Sequence, residues 1–258
     1  MQALAQRWKQ RWKPHEPCVN ENHVVPQTQV WVKVGQRSGM IAFEGVSKSF
    51  YTGKGRKIIL DRASFRVELG NSLGILAPNG AGKTTIINMM AGLEKPDEGR
   101  ILRASRISFP LGFMGGVVGR HTAVENCRYI ARLYGLDPDY VESFCRWMAG
   151  IGDYFDMPIG TYSQGMRSRF SFSLMLALEF DIYLIDEGMP SSTDVEFNRK
   201  AGRMLRERLE NATVVIVSHQ AATLEKFARS AAVLRNGQLY MFETLEEAKR
   251  LYDYQDHS

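Results

Sequence analysis

What the 258-residue sequence lacks narrows its class before any motif is considered. No stretch approaches the roughly 18 uninterrupted apolar residues needed to span a bilayer, and the N-terminus carries no apolar run of the secretory type. A cytosolic or membrane-peripheral protein is expected. Cysteine is scarce: Cys18, Cys127 and Cys145 are an odd number with neither a CxxC nor a Cys/His ligand spacing. That excludes a disulfide framework and a zinc site as organising features and suits a reducing compartment. Internal repeats are absent. Excess charge is missing from most of the chain too. Residues 1–39 hold +4 of the formal +5, from Arg7, Lys9, Arg11, Lys13, Lys33 and Arg37 against Glu16 and Glu21, leaving +1 for residues 40–258. A body so nearly neutral argues against nucleic acid as its partner.

What is present divides the chain in two. Residues 1–39 are polar, contain Pro14, Pro17 and Pro26, and carry Trp8, Trp12 and Trp31. Within this extension Leu4, Ala5, Trp8 and Trp12 recur at helical spacing with basic residues interleaved, a pattern suited to a short helix on an anionic bilayer surface. A flexible leader, or translation begun upstream of a start at Met40, accounts for the same residues. From Met40 the 44% hydrophobic content becomes regular enough to build a core. Alternation over 41–46 and 63–69, around a Gly/Lys-rich turn, predicts an antiparallel β region. Residues 72–76 then read as a buried parallel strand, followed by a helix from about Thr84 to Ala91. Helical periods follow over 124–134, 141–148 and 166–178. Further strands are expected at 182–185, 213–217 and 232–234, with a terminal helix over 245–252 and about two dozen residues after the last strand. Strands alternating with helices predict an α/β fold with a parallel sheet.

The segment Ala77-Pro78-Asn79-Gly80-Ala81-Gly82-Lys83-Thr84-Thr85 departs from G-x-x-x-x-G-K-[ST] only at its first position. It stands between a buried strand and a helix, where that pattern cradles phosphate. Gly80 and Gly82 let the backbone approach phosphate oxygens, and successive N–H groups at a helix N-terminus supply partial positive charge. Lys83 adds a full charge near the β and γ phosphates of ATP, and Thr84 offers a hydroxyl to Mg²⁺. If position 77 required a positive φ, alanine there would cost roughly 1–2 kcal/mol.

Two later strands end in chemistry-bearing residues. Ile182-Tyr183-Leu184-Ile185 runs into Asp186 and Glu187 at the carboxyl edge, where ligands bind in open α/β sheets. Asp186 can hold Mg²⁺ through its water shell, and Glu187 can orient and deprotonate an attacking water. Acids ending a strand are commonly just solvated; beside a phosphate loop they carry weight. Val214-Val215-Ile216-Val217 ends in Ser218-His219, and His219 can bond a γ-phosphate oxygen.

In this order the motifs resemble those of ABC transporter ATPase subunits, over nearly all of residues 40–258. The discriminating piece is Thr161-Tyr162-Ser163-Gln164-Gly165-Met166-Arg167, in the place of the family signature LSGGQ: Ser163 and Gly165 match, while Tyr162, Gln164 and Met166 depart. Ser163 is also a suitable N-cap for the helix that follows. The resemblance implies an ABC-type P-loop ATPase with a parallel core sheet, an antiparallel β subdomain and an inserted helical subdomain over about 115–178. It implies two chains in a homodimer, with Ser163 and Gly165 facing the partner's ATP, and an adenine-stacking aromatic at Phe50 or Tyr51. Asp194 falls near the place of the family's D-loop aspartate.

A narrower likeness follows from Ser108-Phe109-Pro110-Leu111-Gly112-Phe113 and Glu125-Asn126, which is similar to polysaccharide exporters, above all the capsular type. No glutamine lies between Thr84 and Ser163, so the family's Q-loop glutamine has no counterpart. The likeness implies integral-membrane permease subunits as partners, a polysaccharide cargo, and a peripheral position on the cytoplasmic face of the inner membrane. O-antigen or teichoic acid export, and a non-transport ABC ATPase, are the rival readings; the short tail after the last strand favours the capsular type over exporters with a C-terminal carbohydrate-binding domain.

Overall fold

The computed structural model describes residues 40–53, 55–110, 116–186 and 194–253. The extension over 1–39, with its expected interfacial helix, lies outside them, as do Leu111, Gly112 and Phe113. The first unit is a three-stranded antiparallel sheet in the order β2-β1-β4, formed by β1 (Met40–Thr52), β2 (Gly55–Glu68) and β4 (Glu98–Arg103). Alternate residues of β1 and β2 point inward, and Phe43 stacks on its cross-strand partner Phe65 with centroids 4.4 Å apart. Register shifts between Phe43 and Ser49 mark irregularities that bend the hairpin.

The second unit is a five-stranded sheet in the order β5-β6-β3-β7-β8, from β3 (Leu73–Leu76), β5 (Ile182–Asp186), β6 (Thr213–Ser218), β7 (Ser230–Arg235) and β8 (Gln238–Phe242). Its period-two pattern sorts side chains into two separate cores. Tyr183, Ile185, Val214, Ile216, Ala231 and Val233 face a helical layer. Ile182, Leu184, Val215, Val217, Ala232 and Leu234 face the antiparallel sheet and helix α1 (Lys83–Ala91). Strands buried on both faces read as continuous apolar runs, and this is why they were legible. Each fully buried Leu or Ile contributes roughly 1.5–3 kcal/mol of transfer free energy.

The helical layer comprises α2 (Ala123–Leu133), α3 (Pro138–Ala149), α4 (Gln164–Ala177), α5 (Val195–Leu209), the short α6 (Ala221–Leu224) and α7 (Leu245–Asp253). Helix α2 starts at a reciprocal capping box: the Thr122 hydroxyl accepts from the Glu125 amide at 3.1 Å, and the Glu125 carboxylate accepts from the Thr122 amide at 2.8 Å. Asn126, fully buried, accepts from the Val118 amide and donates to the Val118 and Thr122 carbonyls. It thereby fixes the loop that enters α2.

Three elements differ from expectation. The sheet is mixed, because β8 pairs antiparallel with β7, and this last strand, ending at Phe242, leaves a shorter tail than the two dozen residues expected. Strand β4 likewise went unread: both β4 and β8 are half exposed and show no clean alternation. Helix α5 was missed because its apolar stripe is narrow, Phe197, Ala201, Leu205 and Leu209, set in a strongly charged segment.

Candidate functional site

The sheet register gathers the chemistry at one edge. Strand β3 lies between β6 and β7, with Leu76 opposite Ser218, and Asp186 at the end of β5 lies opposite Val217. The carboxyl ends of β3, β5 and β6 therefore lie in line, and the segments holding Ala77–Thr85, Asp186 and His219 begin there. The Ala77 amide donates to the Ser218 carbonyl at 3.1 Å, tying the loop to the end of β6. Ala77 is fully buried, and it is not at a positive φ, since only Arg62 and Asn236 among the described non-glycine residues are. The strain considered for alanine at this position does not arise.

Glycine is required further along the loop. Gly80 has φ +77° and Gly82 φ +109°, and a Cβ on Gly82 would stand 2.5 Å from Cγ2 of Ile59 on β2. Gly82 is also the N-cap of α1 and offers no side-chain acceptor, so the helix opens onto the loop without a cap. Lys83, almost wholly buried, donates to the Ala77 and Pro78 carbonyls at 3.3 Å and to Asn79 Oδ1 at 3.0 Å. Its ammonium is thus held inside the curve of the loop.

The Thr84 hydroxyl donates to Asp186 Oδ2 at 2.7 Å across 102 residues of sequence. Two hard oxygen donors placed side by side at a phosphate loop fit the oxygen preference of Mg²⁺. Glu187, the expected base, lies outside the described residues. His219 is half-buried directly after β6, its Nε2 3.3 Å from Gln220 Nε2.

A cleft of about 440 Å³ separates the loop, including Asn79, Gly80, Lys83 and Thr84, from the β1–β2 hairpin, including Phe50, Thr52, Lys57 and Ile59. Of the two candidate aromatics only Phe50 lines it; Tyr51 is 86% exposed and does not. The Lys48 ammonium sits 5.0 Å from the Phe50 ring centroid, anchored by Glu94 at 2.6 Å and Asp97 at 3.2 Å. Hydrogen bonding and charge from Glu94, then Asp97, outweigh burial and raise the Lys48 pKa. Lys57 was not singled out from sequence. Its ammonium donates to the Gly80 carbonyl, and the clue would have been its place directly opposite Phe50 across the hairpin.

Ser163 and Gly165 stand apart from this cleft, at the start of α4. Ser163 caps the helix, its Oγ accepting from the Met166 amide at 3.2 Å. Ser163, Gln164 and Gly165 are all exposed. Tyr162, buried beside them, donates its hydroxyl to the Tyr154 carbonyl at 2.7 Å, and burial pushes its pKa up to about 12. Asp194 caps α5, accepting from the Phe197 amide at 2.9 Å, and pairs with Arg169 of α4 at 2.8 Å.

The chain is similar to known proteins over most of its length. Residues 60–189 match the family described as ABC transporter. The chain is 39% identical over 214 residues to the ATP-binding protein BexA of Haemophilus influenzae, covering 83% of this chain and 98% of that one. It is 39% identical to the capsule polysaccharide export ATP-binding protein CtrD of Neisseria meningitidis, covering 83% and 99%. Among solved structures, the ATP-binding cassette MJ0796, in a dimeric post-hydrolysis state bound to ADP and Pi, superimposes with a TM-score of 0.61 at 21% identity, covering 80% of this chain and 98% of that one.

Proposed function

The chain belongs to the ABC transporter family as an ATP-binding and ATP-hydrolysing subunit, and from that premise we propose that it energises export of a capsular polysaccharide across an inner membrane. It does so as a homodimer on the cytoplasmic face, seated on integral-membrane permease subunits. Among the described residues no helix is long and apolar enough to cross a membrane, so translocation requires such a partner. The export reading rests on likeness to a capsule polysaccharide export ATPase over almost that protein's whole length.

The hydrolytic reading rests on one contact above all, the 2.7 Å bond between Thr84 and Asp186 beneath the phosphate loop. In this role Lys83 and the loop amides hold the β and γ phosphates, while Thr84 and Asp186 hold Mg²⁺. When bound, the metal neutralises charge on the phosphate oxygens. Glu187 takes a proton from the attacking water, His219 bonds the γ-phosphate, and Phe50 stacks on adenine. Ser163 and Gly165 complete the site of the second chain. A Cβ at Gly165 would meet nothing closer than Ser163 Oγ at 4.0 Å, and its φ is not positive. No demand within one chain therefore selects glycine there, in keeping with close approach by another molecule.

Two measurements test the proposal. Glu187→Gln is expected to keep ATP binding and abolish steady-state hydrolysis, because the base is lost while the phosphate cradle remains; turnover near wild type removes Glu187 from the role. Purification from membranes, with mass spectrometry of what accompanies the chain, should find a multi-spanning permease and a bound glycan. Recovery with nucleic acid or ribosomal proteins instead would overturn the export reading.

A further inference from the structure

We propose that Lys57, on β2, is a second phosphate-binding cation, which contacts the α- or β-phosphate of the nucleotide as it passes from Phe50 to the loop. The inference rests on the nucleotide-site reading above and adds a residue to it. In the antiparallel register Lys57 is the direct partner of Phe50. Directly opposite residues project from the same face of a hairpin with Cβ atoms about 4.5–5.5 Å apart. Ile59, two residues on, shares that face and packs over Gly82. Phe50, Lys57 and Ile59 thus form one wall of the cleft, and the phosphate loop forms the other.

The Lys57 ammonium already spans the gap, donating to the Gly80 carbonyl. A planar base on Phe50 with its terminal phosphates beside Lys83 has to run its proximal phosphates past this group. An ammonium carries three donors. One bond to Gly80 therefore leaves two for phosphate oxygens, and the loop contact need not break. Lys83 is held by other loop acceptors, the Ala77 and Pro78 carbonyls and Asn79, so the two cations do not share a partner and can serve different phosphates. The glycine at position 80, with φ +77°, turns its carbonyl toward the hairpin, and a Cβ there would come within 3.8 Å of the Lys57 nitrogen.

The test is equilibrium titration of the full chain with ATP and with ADP, for wild type, Lys57→Gln, Lys57→Arg and Lys83→Ala, together with steady-state kinetics and nucleotide-free thermal unfolding. Lys57→Gln is expected to weaken ATP and ADP by the same factor, about tenfold, the scale of one charge-assisted bond. KM should rise far more than kcat falls, and Lys57→Arg should recover most of the affinity. Unchanged affinity in Lys57→Gln overturns the proposal. So does a loss confined to ATP, which would move the contact to the γ-phosphate, or a fall in the nucleotide-free unfolding midpoint with kcat falling in parallel, which would make Lys57 a strut beneath Gly80. Lys83→Ala keeps the two levels apart: if it too binds ATP normally, the phosphate-loop reading itself has failed.

Discussion

Replacing Gly82 by alanine isolates the steric demand that joins hairpin to phosphate loop. The new Cβ would lie 2.5 Å from Cγ2 and 2.9 Å from Cδ1 of Ile59, at a φ of +109°. The backbone share is about 1–2 kcal/mol for a side chain forced into this region. Overpacking against the buried side of Ile59, which is only 3% exposed, adds about 1–3 kcal/mol. Gly82→Ala should therefore destabilise by about 2–5 kcal/mol. Ile59→Ala alone should cost about 2–5 kcal/mol through the cavity it leaves. In the double variant the alanine at 82 fills part of that cavity and its clash vanishes, so the two costs should fall short of additivity by about 1–3 kcal/mol. Urea unfolding of all four proteins gives this coupling directly from the midpoints. Strict additivity, or a neutral Gly82→Ala, would refute the account of how β2 roofs the loop.

If Ser163 and Gly165 serve the opposite chain, mixing Ser163→Arg chains with Lys83→Ala chains should restore one intact composite site per heterodimer. Nucleotide-dependent crosslinking between the two segments should then appear in the mixture, and its absence would count against a shared site. The Asp194 carboxyl is held below its ordinary 3.8, first by the Phe197 amide and then by Arg169. A depressed carboxyl stabilises the folded state above its ordinary pKa and loses that contribution as pH falls through the folded value. Asp194→Asn, which can still cap the helix, should thus be less stable than wild type at pH 7, with the gap closing as pH falls below the ordinary 3.8. A gap independent of pH would exclude charge as its cause.

The parts of this protein that could be read from sequence share a physical property: each is specified by neighbours in the chain. The phosphate loop is contiguous, and β3, β5 and β6 are apolar throughout because both faces of the sheet are covered. Ser163 as an N-cap follows from the helical period beginning just beyond it. What escaped depends on contacts distant in sequence. Strand β4 exists because β1 offers it an edge, and β8 because β7 does. Helix α5 needs only a narrow stripe because it meets the core along one line. Lys57 becomes notable only when hairpin register sets it opposite Phe50 and within reach of Gly80. Ala77 shows the converse: a departure from the loop pattern that looked strained is accommodated, because its amide feeds the β6 carbonyl and its φ is ordinary.

The phosphate loop supplies its own acceptors to Lys83. Lys83 donates to two loop carbonyls and to Asn79 Oδ1 at 3.0 Å, so a phosphate must compete with internal acceptors for its protons. Binding affinity is then the difference between the bonds the ammonium makes to phosphate and those it gives up in the loop, the one to Asn79 being charge-assisted and worth about 1.5–3 kcal/mol. Deleting the amide acceptor should weaken the free state and leave the bound state, in which Lys83 turns to phosphate, largely untouched. Asn79→Ala is accordingly expected to bind ATP more tightly, by about tenfold or more, while its nucleotide-free unfolding midpoint falls. Lys83→Ala should move affinity the opposite way, since it removes the charge that the phosphates need. Calorimetric titration distinguishes the cases. If Asn79→Ala weakens ATP as Lys83→Ala does, then the Asn79 side chain contacts the ligand itself and the competition argument fails.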